Sequence, residues 1–264
     1  LHGYPQTHVM WHKTAPELSK NFTVVVADLR GYGNSLVLPG DKKHINYSKR
    51  EMAKDMIQLM NKLNFKKFFL AGHDRGGRVA HRMARDFRKK ILALSVLDIC
   101  PTLDMYESTD RKFAKAYFHW FFLIQPQPLP EQIISADPEG FWKLKCFNQT
   151  NGENPFSKEA LEEYLVAFKQ PDAIHSSCED YRAAASIDIE HDNADQGKKI
   201  AMPLLALWAK FGVIESCFNV LDLWRLRAEK VEGEALNATH YMAEEIPREV
   251  ANRMSNFFSH NLQS

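Results

Sequence analysis

The 264-residue chain sets 34 Lys plus Arg against 33 Asp plus Glu, a formal net charge of +1, which offers no field for nucleic acid or an anionic membrane. With 45% hydrophobic and 25% charged residues, the composition is that of a soluble globular chain able to bury one large core. Its longest apolar stretches, Phe68 to Ala71 and Pro203 to Ala209, are strand-length and too short to span a bilayer.

The chain begins Leu1-His2-Gly3-Tyr4-Pro5, a pattern that reads as a strand ending in a loop, so N-terminal strands are expected to precede it. Thr23 to Ala27 is a β-branched run ending at Asp28, which predicts a buried strand. The turn-rich loop Arg30 to Ser35 follows. Ser48, with Glu51 three residues on, predicts a capping box opening a helix to about Leu63. Phe68 to Gly72 is predicted as a strand, Arg75 to Phe87 as a helix and Leu92 to Leu97 as a strand. The alternation argues for a mostly parallel sheet covered on both faces.

The rhythm breaks after Pro101. From Leu103 to about Asp188 there is no strand pattern, only aromatic-rich helical segments interrupted by Pro126, Pro128, Pro130, Pro138 and Pro155. A helical cap over residues 103–190 is therefore expected between two parts of a core, residues 1–102 and 191–264. Strands are predicted again at Pro203 to Trp208 and Lys230 to Leu236, with a helix at Phe218 to Ala228 between them and a closing helix at Pro247 to Phe258. Cys100, Cys146, Cys178 and Cys217 lie far apart, without metal spacing, and read as reduced thiols that favour a cytoplasmic location. The patches Lys66-Lys67 and Arg88-Lys89-Lys90 are most simply solvated turns.

The segment Gly72-His73-Asp74-Arg75-Gly76, between a strand and a helix, matches the nucleophile elbow of the α/β-hydrolase fold, with Asp in place of the usual Ser. Glycines flank it because the turn is tight. A carboxylate there suits displacement of a leaving group from saturated carbon, giving an ester that an activated water must hydrolyse. Asp is also a common helix N-cap, so the residue type alone leaves both roles open. The context favours the nucleophile: Asp98 follows the next strand and His240 follows the last, in the chain order nucleophile, acid, histidine. Tyr4 in the first loop and Arg75 after the elbow would each offer a backbone N–H to an oxyanion. After Trp208 no Asp occupies the usual acid position, and Glu215 is a conceivable substitute beside Asp98; the resemblance given next implies Asp98.

Together, Leu1 to Thr7, Asp28-Leu29-Arg30-Gly31-Tyr32-Gly33, Gly72 to Arg78, Phe118-His119-Trp120-Phe121-Phe122 and Cys178-Glu179-Asp180-Tyr181-Arg182 resemble the fluoroacetate (haloacetate) dehalogenases over nearly the whole chain. The first two segments are shared with epoxide hydrolases; the paired arginines and His119-Trp120 are more specific. The resemblance implies that Asp74 attacks the α-carbon of a haloacetate and that Arg75 and Arg78 bind its carboxylate. His119, Trp120 and Tyr181 would then donate to the departing halide, and His240, oriented by Asp98, would activate water. It also implies a homodimer and no cofactor or metal.

Two rival readings follow from the same residues. An epoxide hydrolase would use Asp74 and His240 with cap tyrosines, but has no need of two arginines for a substrate carboxylate. A non-catalytic binding protein of this fold could dispense with a triad member, whereas Asp74, Asp98 and His240 are all present.

Overall fold

Four parallel strands, β1 (Phe68–His73), β2 (Ile91–Leu97), β3 (Leu204–Ala209) and β4 (Val231–Leu236), lie side by side in that order in a computed structural model that describes residues 1–150 and 152–262. β2 and β3 are almost entirely buried apolar runs, as strands covered on both faces must be. In β4, Glu232 and Glu234 alternate outward, a pattern suited to a sheet edge. The register pairs His73 with Leu97 and Leu97 with Leu207. The residues that follow β1 and β2 therefore leave the sheet side by side at its carboxyl edge, where open α/β sheets bind ligands.

The helices that flank the sheet start where the chain supplies a cap. The Lys49–Lys62 helix begins at Ser48, whose hydroxyl accepts the Glu51 N–H at 3.3 Å. The second arm of the expected capping box does not form. Ser48 N–H donates instead to the Ile45 carbonyl, and the Glu51 carboxylate pairs with Lys54. Downstream of β3, Phe218 stays extended and the helix is Val220–Arg225, shorter than expected because Asn219 caps it, its side chain accepting the Asp222 N–H.

Thr23–Ala27 is also a departure. It joins no ladder among the described residues, and it is exposed to half-buried rather than buried. A slot of about 430 Å³, lined by residues such as Val24, Val26, Phe69 and Leu70, lies between this run and β1. Ladder pairing needs backbones about 4.8 Å apart, and the slot holds them further off.

Between β2 and β3 every described element is helical, from Thr102–Glu107 to Ile187–Ala194. Buried Trp120, Trp142, Tyr164 and Tyr181 form the centre of this layer. It is tied down onto the carboxyl-edge loops: the Trp142 indole donates to the Pro5 carbonyl at 3.0 Å, and the Tyr32 hydroxyl to Asp180 at 2.7 Å.

Candidate active site

Asp74 opens the Asp74–Asp86 helix with φ of +46°, in the left-handed region that non-glycine residues enter only under constraint and that Asp tolerates better than most. The N-cap position belongs to His73, so Asp74 does not cap the helix. Instead its Oδ1 accepts the Tyr4 N–H at 2.9 Å. The crossing depends on two glycines: a Cβ on Gly72 would lie 2.4 Å from the Gly76 carbonyl oxygen, and one on Gly76 would lie 2.3 Å from that of His2. Strand, helix and first loop touch only because both Cβ atoms are missing.

Asp98, also left-handed at φ +50°, follows β2 at the same edge. Its Oδ2 accepts from His240 Nδ1 at 2.6 Å and its Oδ1 from the Ala209 N–H at 2.9 Å. With Nδ1 donating, His240 presents the lone pair of Nε2, 3.9 Å from Asp74 Oδ2 and without a hydrogen-bond partner among the described residues. Glu215 takes the Trp208 indole N–H and has no part in this chain of groups.

Burial favours the neutral form of Asp74, but His240, His73, Lys145 and Arg78 together outweigh it and hold the carboxyl well below the ordinary range. Asp74 is therefore held as an anion, beside an imidazole whose Nε2 has no hydrogen-bond partner among the described residues.

The two elbow arginines have different surroundings. Arg75 is fully buried and forms a two-point ion pair with Asp180, Nε to Oδ2 at 3.0 Å and Nη2 to Oδ1 at 2.7 Å. Burial works against its charge, and the Asp180 carboxylate more than restores it. Its Nη1 has no partner among the described residues. Arg78 is buried too, but donates to neutral groups, the Cys100 carbonyl at 3.2 Å and the Thr102 hydroxyl at 2.9 Å. No carboxylate lies within 4 Å of its guanidinium among the described residues. Burial, and then Arg75, pushes Arg78 below the usual guanidinium value. The resemblance gives both arginines to a substrate carboxylate, whereas Arg75 already has a carboxylate partner in Asp180.

The expected halide donors converge on this pair. The Arg75 guanidinium stacks 4.1 Å from the Tyr181 ring and that of Arg78 stacks 4.5 Å from Trp120, contacts that orient both rings. The Trp120 indole N–H and the Tyr181 hydroxyl are buried without hydrogen-bond partners among the described residues. Burial raises the Tyr181 hydroxyl well above its ordinary value, so it remains a neutral donor. His119 packs against Tyr181 with centroids 5.8 Å apart, and burial, then Lys145, drives its pKa well below the usual imidazole range.

Two participants were not anticipated, Asp180 as the partner of Arg75 and the buried Lys145. Each sits in a helix amid other charges, and only the tertiary contact sets it apart. A cavity of about 360 Å³, lined by Tyr117, Gln149, Lys210 and Phe211 among others, reaches His240. Among the described residues no three His, Cys, Asp or Glu side chains converge as a metal site requires.

Residues 1–132 match the family model of the alpha/beta hydrolase fold. The chain is 44% identical over 260 residues to a fluoroacetate dehalogenase from Burkholderia sp, covering 98% of this chain and 86% of that one. It is 32% identical to a soluble epoxide hydrolase from Corynebacterium sp., covering 98% and 88%. Among solved structures it is similar to an alpha/beta hydrolase from Nostoc sp PCC 7120, with a TM-score of 0.96 and 51% identity over 98% of this chain and 89% of that one.

Proposed function

The chain belongs to the α/β-hydrolase fold family and, within it, to the fluoroacetate dehalogenases, and from that premise we propose that it hydrolyses a small 2-haloacid through an ester on Asp74. Asp74 Oδ2 attacks the α-carbon as the carbon–halogen bond breaks, and the halide leaves with the bonding electrons toward Trp120, Tyr181 and His119. Fixed donors in a dry pocket are what a small, strongly hydrated leaving group requires. His240 Nε2 then takes a proton from water, and the oxygen adds to Asp74 Cγ. The oxyanion forms on Oδ1, which Tyr4 N–H already holds at 2.9 Å, with the Arg75 backbone N–H as the second donor. Collapse breaks the Cγ–Oδ2 bond, the 2-hydroxy acid leaves with the proton returned from His240, and the Asp74 carboxyl gives up the water's second proton to solvent. No step calls on a cofactor. The helices of residues 103–190 serve as a cap that excludes bulk water, with residues 1–102 and 191–264 as the core.

Arg78 carries the argument. A buried guanidinium held only by neutral acceptors is costly unless an anion completes the site, and a substrate carboxylate is such an anion. Arg75 Nη1 and Arg78 Nε, both buried and without partners among the described residues, are the N–H groups left to receive it. A neutral epoxide would leave that charge uncompensated, although the 32% identity to an epoxide hydrolase keeps this the reading to test against. Incubation with fluoroacetate, chloroacetate and styrene oxide separates them: release of halide from a haloacetate supports the proposal, and diol formation with no halide release overturns it.

A further inference from the structure

Lys145 is a charged group near the nucleophile that the scheme above leaves without a task. It lies in the Pro138–Asn148 helix and is buried. No carboxylate lies within 4 Å of its ammonium among the described residues; Nζ donates instead to the Tyr4 carbonyl at 3.2 Å and to the Tyr241 hydroxyl at 3.1 Å. The Tyr241 hydroxyl in turn donates to Gln149 Oε1 at 3.1 Å, so its oxygen is free to accept from Lys145. Two aromatic faces complete the cradle, with Nζ 5.1 Å from the centroid of the Tyr4 ring and 5.6 Å from that of Tyr241. Burial lowers the Lys145 pKa from its ordinary value; against it, two oxygen acceptors and two ring faces favour the cation over the neutral amine.

The partner residue gives the cradle its meaning. The same Tyr4 whose carbonyl Lys145 holds presents its N–H to Asp74 Oδ1 at 2.9 Å. Trp142, one turn earlier on the same helix face, holds the next carbonyl, that of Pro5, at 3.0 Å. The cap helix thus grips the oxyanion loop at two successive carbonyls.

We propose that Lys145 is a positioning residue for the second half of the reaction, holding the Tyr4 peptide against Asp74 and supplying the positive charge that favours ester hydrolysis over ester formation. The inference rests on the aspartyl-ester reading. Attack on the substrate turns Asp74 from an anion into a neutral ester, so a nearby cation does nothing to speed that step. Addition of water to Cγ restores negative charge on Oδ1, and the same cation then lowers the barrier. His240 takes one proton from the water and returns it to the departing 2-hydroxy acid, so the ammonium keeps its protons throughout.

Lys145→Met therefore separates the two steps. In rapid-mix experiments with chloroacetate, the first-turnover burst of halide stays within about threefold of the unaltered protein. Steady-state turnover falls on the order of 10–10²-fold, less than loss of a direct oxyanion donor costs. Intact-mass analysis at steady state shows most of the protein carrying one carboxymethyl group on Asp74. Lys145→Arg restores turnover and removes the adduct. Lys145→Gln, which keeps a donor to the Tyr4 carbonyl without the charge, carries the same test if Lys145→Met does not fold. Loss of burst and turnover in parallel, with no adduct, overturns the inference, as does unchanged steady-state turnover. If the unaltered protein itself releases no halide, the ester reading fails, a result distinct from either.

Discussion

Arg75 and Asp180, 105 residues apart in the chain, form a two-point ion pair in which neither side chain exposes any surface. Asp180 also receives the Tyr32 hydroxyl and the Lys49 ammonium, so a single carboxylate ties the helical layer to the elbow helix and to the helix that precedes it. Its position leaves one edge of Arg75, Nη1, turned away from the pair. On the proposed scheme, the contact of Nη1 with the substrate carboxylate is thereby coupled to attachment of the helical layer.

Asp180→Asn should expose that coupling. Removing one partner of a buried pair leaves Arg75 uncompensated and Lys49 with Asp188 as its remaining carboxylate, a loss of about 3–5 kcal/mol in stability. Thermal unfolding shifts downward, and KM for a haloacetate rises in the fraction that folds. A variant with unchanged unfolding temperature and unchanged KM would remove Asp180 from this role.

Arg78→Met should separate function from stability in the opposite sense. The buried charge has no carboxylate partner among the described residues, so an apolar side chain of similar reach relieves its desolvation. The unfolding temperature rises by about 2–4 °C, while kcat/KM on chloroacetate drops about 10²-fold, chiefly through KM. A fall in both quantities would mean that Arg78 acts as structural support rather than as a binding group.

Acid should weaken the fold through its buried histidines, of which His2 and His73 serve as the test. Burial pushes His2 down to about 4 and His73 down to about 3, whereas both take up protons near pH 6.5 once unfolded. The unfolded chain therefore binds more protons between those values, and stability falls as pH drops through about 6.5 toward 4. The slope approaches about 1.4 kcal/mol per pH unit for each histidine. Urea denaturation at pH 7, 6 and 5 measures it, and His73→Gln should flatten the curve. A slope unaltered by that change would assign the acid sensitivity elsewhere.

What could be read from the chain was local. Asp74 stands out because Gly72 and Gly76 flank it, and the glycines matter because a Cβ at either would collide with backbone. Asp98 and His240 stand out because each follows a strand, and the strand register brings those ends together. Asp180 and Lys145 could not be recognised this way. Their partners lie 105 and 141 residues away, and a charged residue in an amphipathic helix gives no sign that it faces inward. Thr23–Ala27 failed for the complementary reason: propensity makes a run extended, but a ladder also needs a backbone alongside, and there a slot intervenes.

The central claim is that Asp74 bonds covalently to the substrate and that His240 frees it. His240→Ala incubated with chloroacetate tests this most directly, by intact-mass spectrometry and peptide mapping with halide measured in the same sample. The account predicts one equivalent of halide per chain, then arrest, with one carboxymethyl group on the peptide that contains Asp74. Continued turnover without an adduct, or an adduct at any other residue, would contradict it.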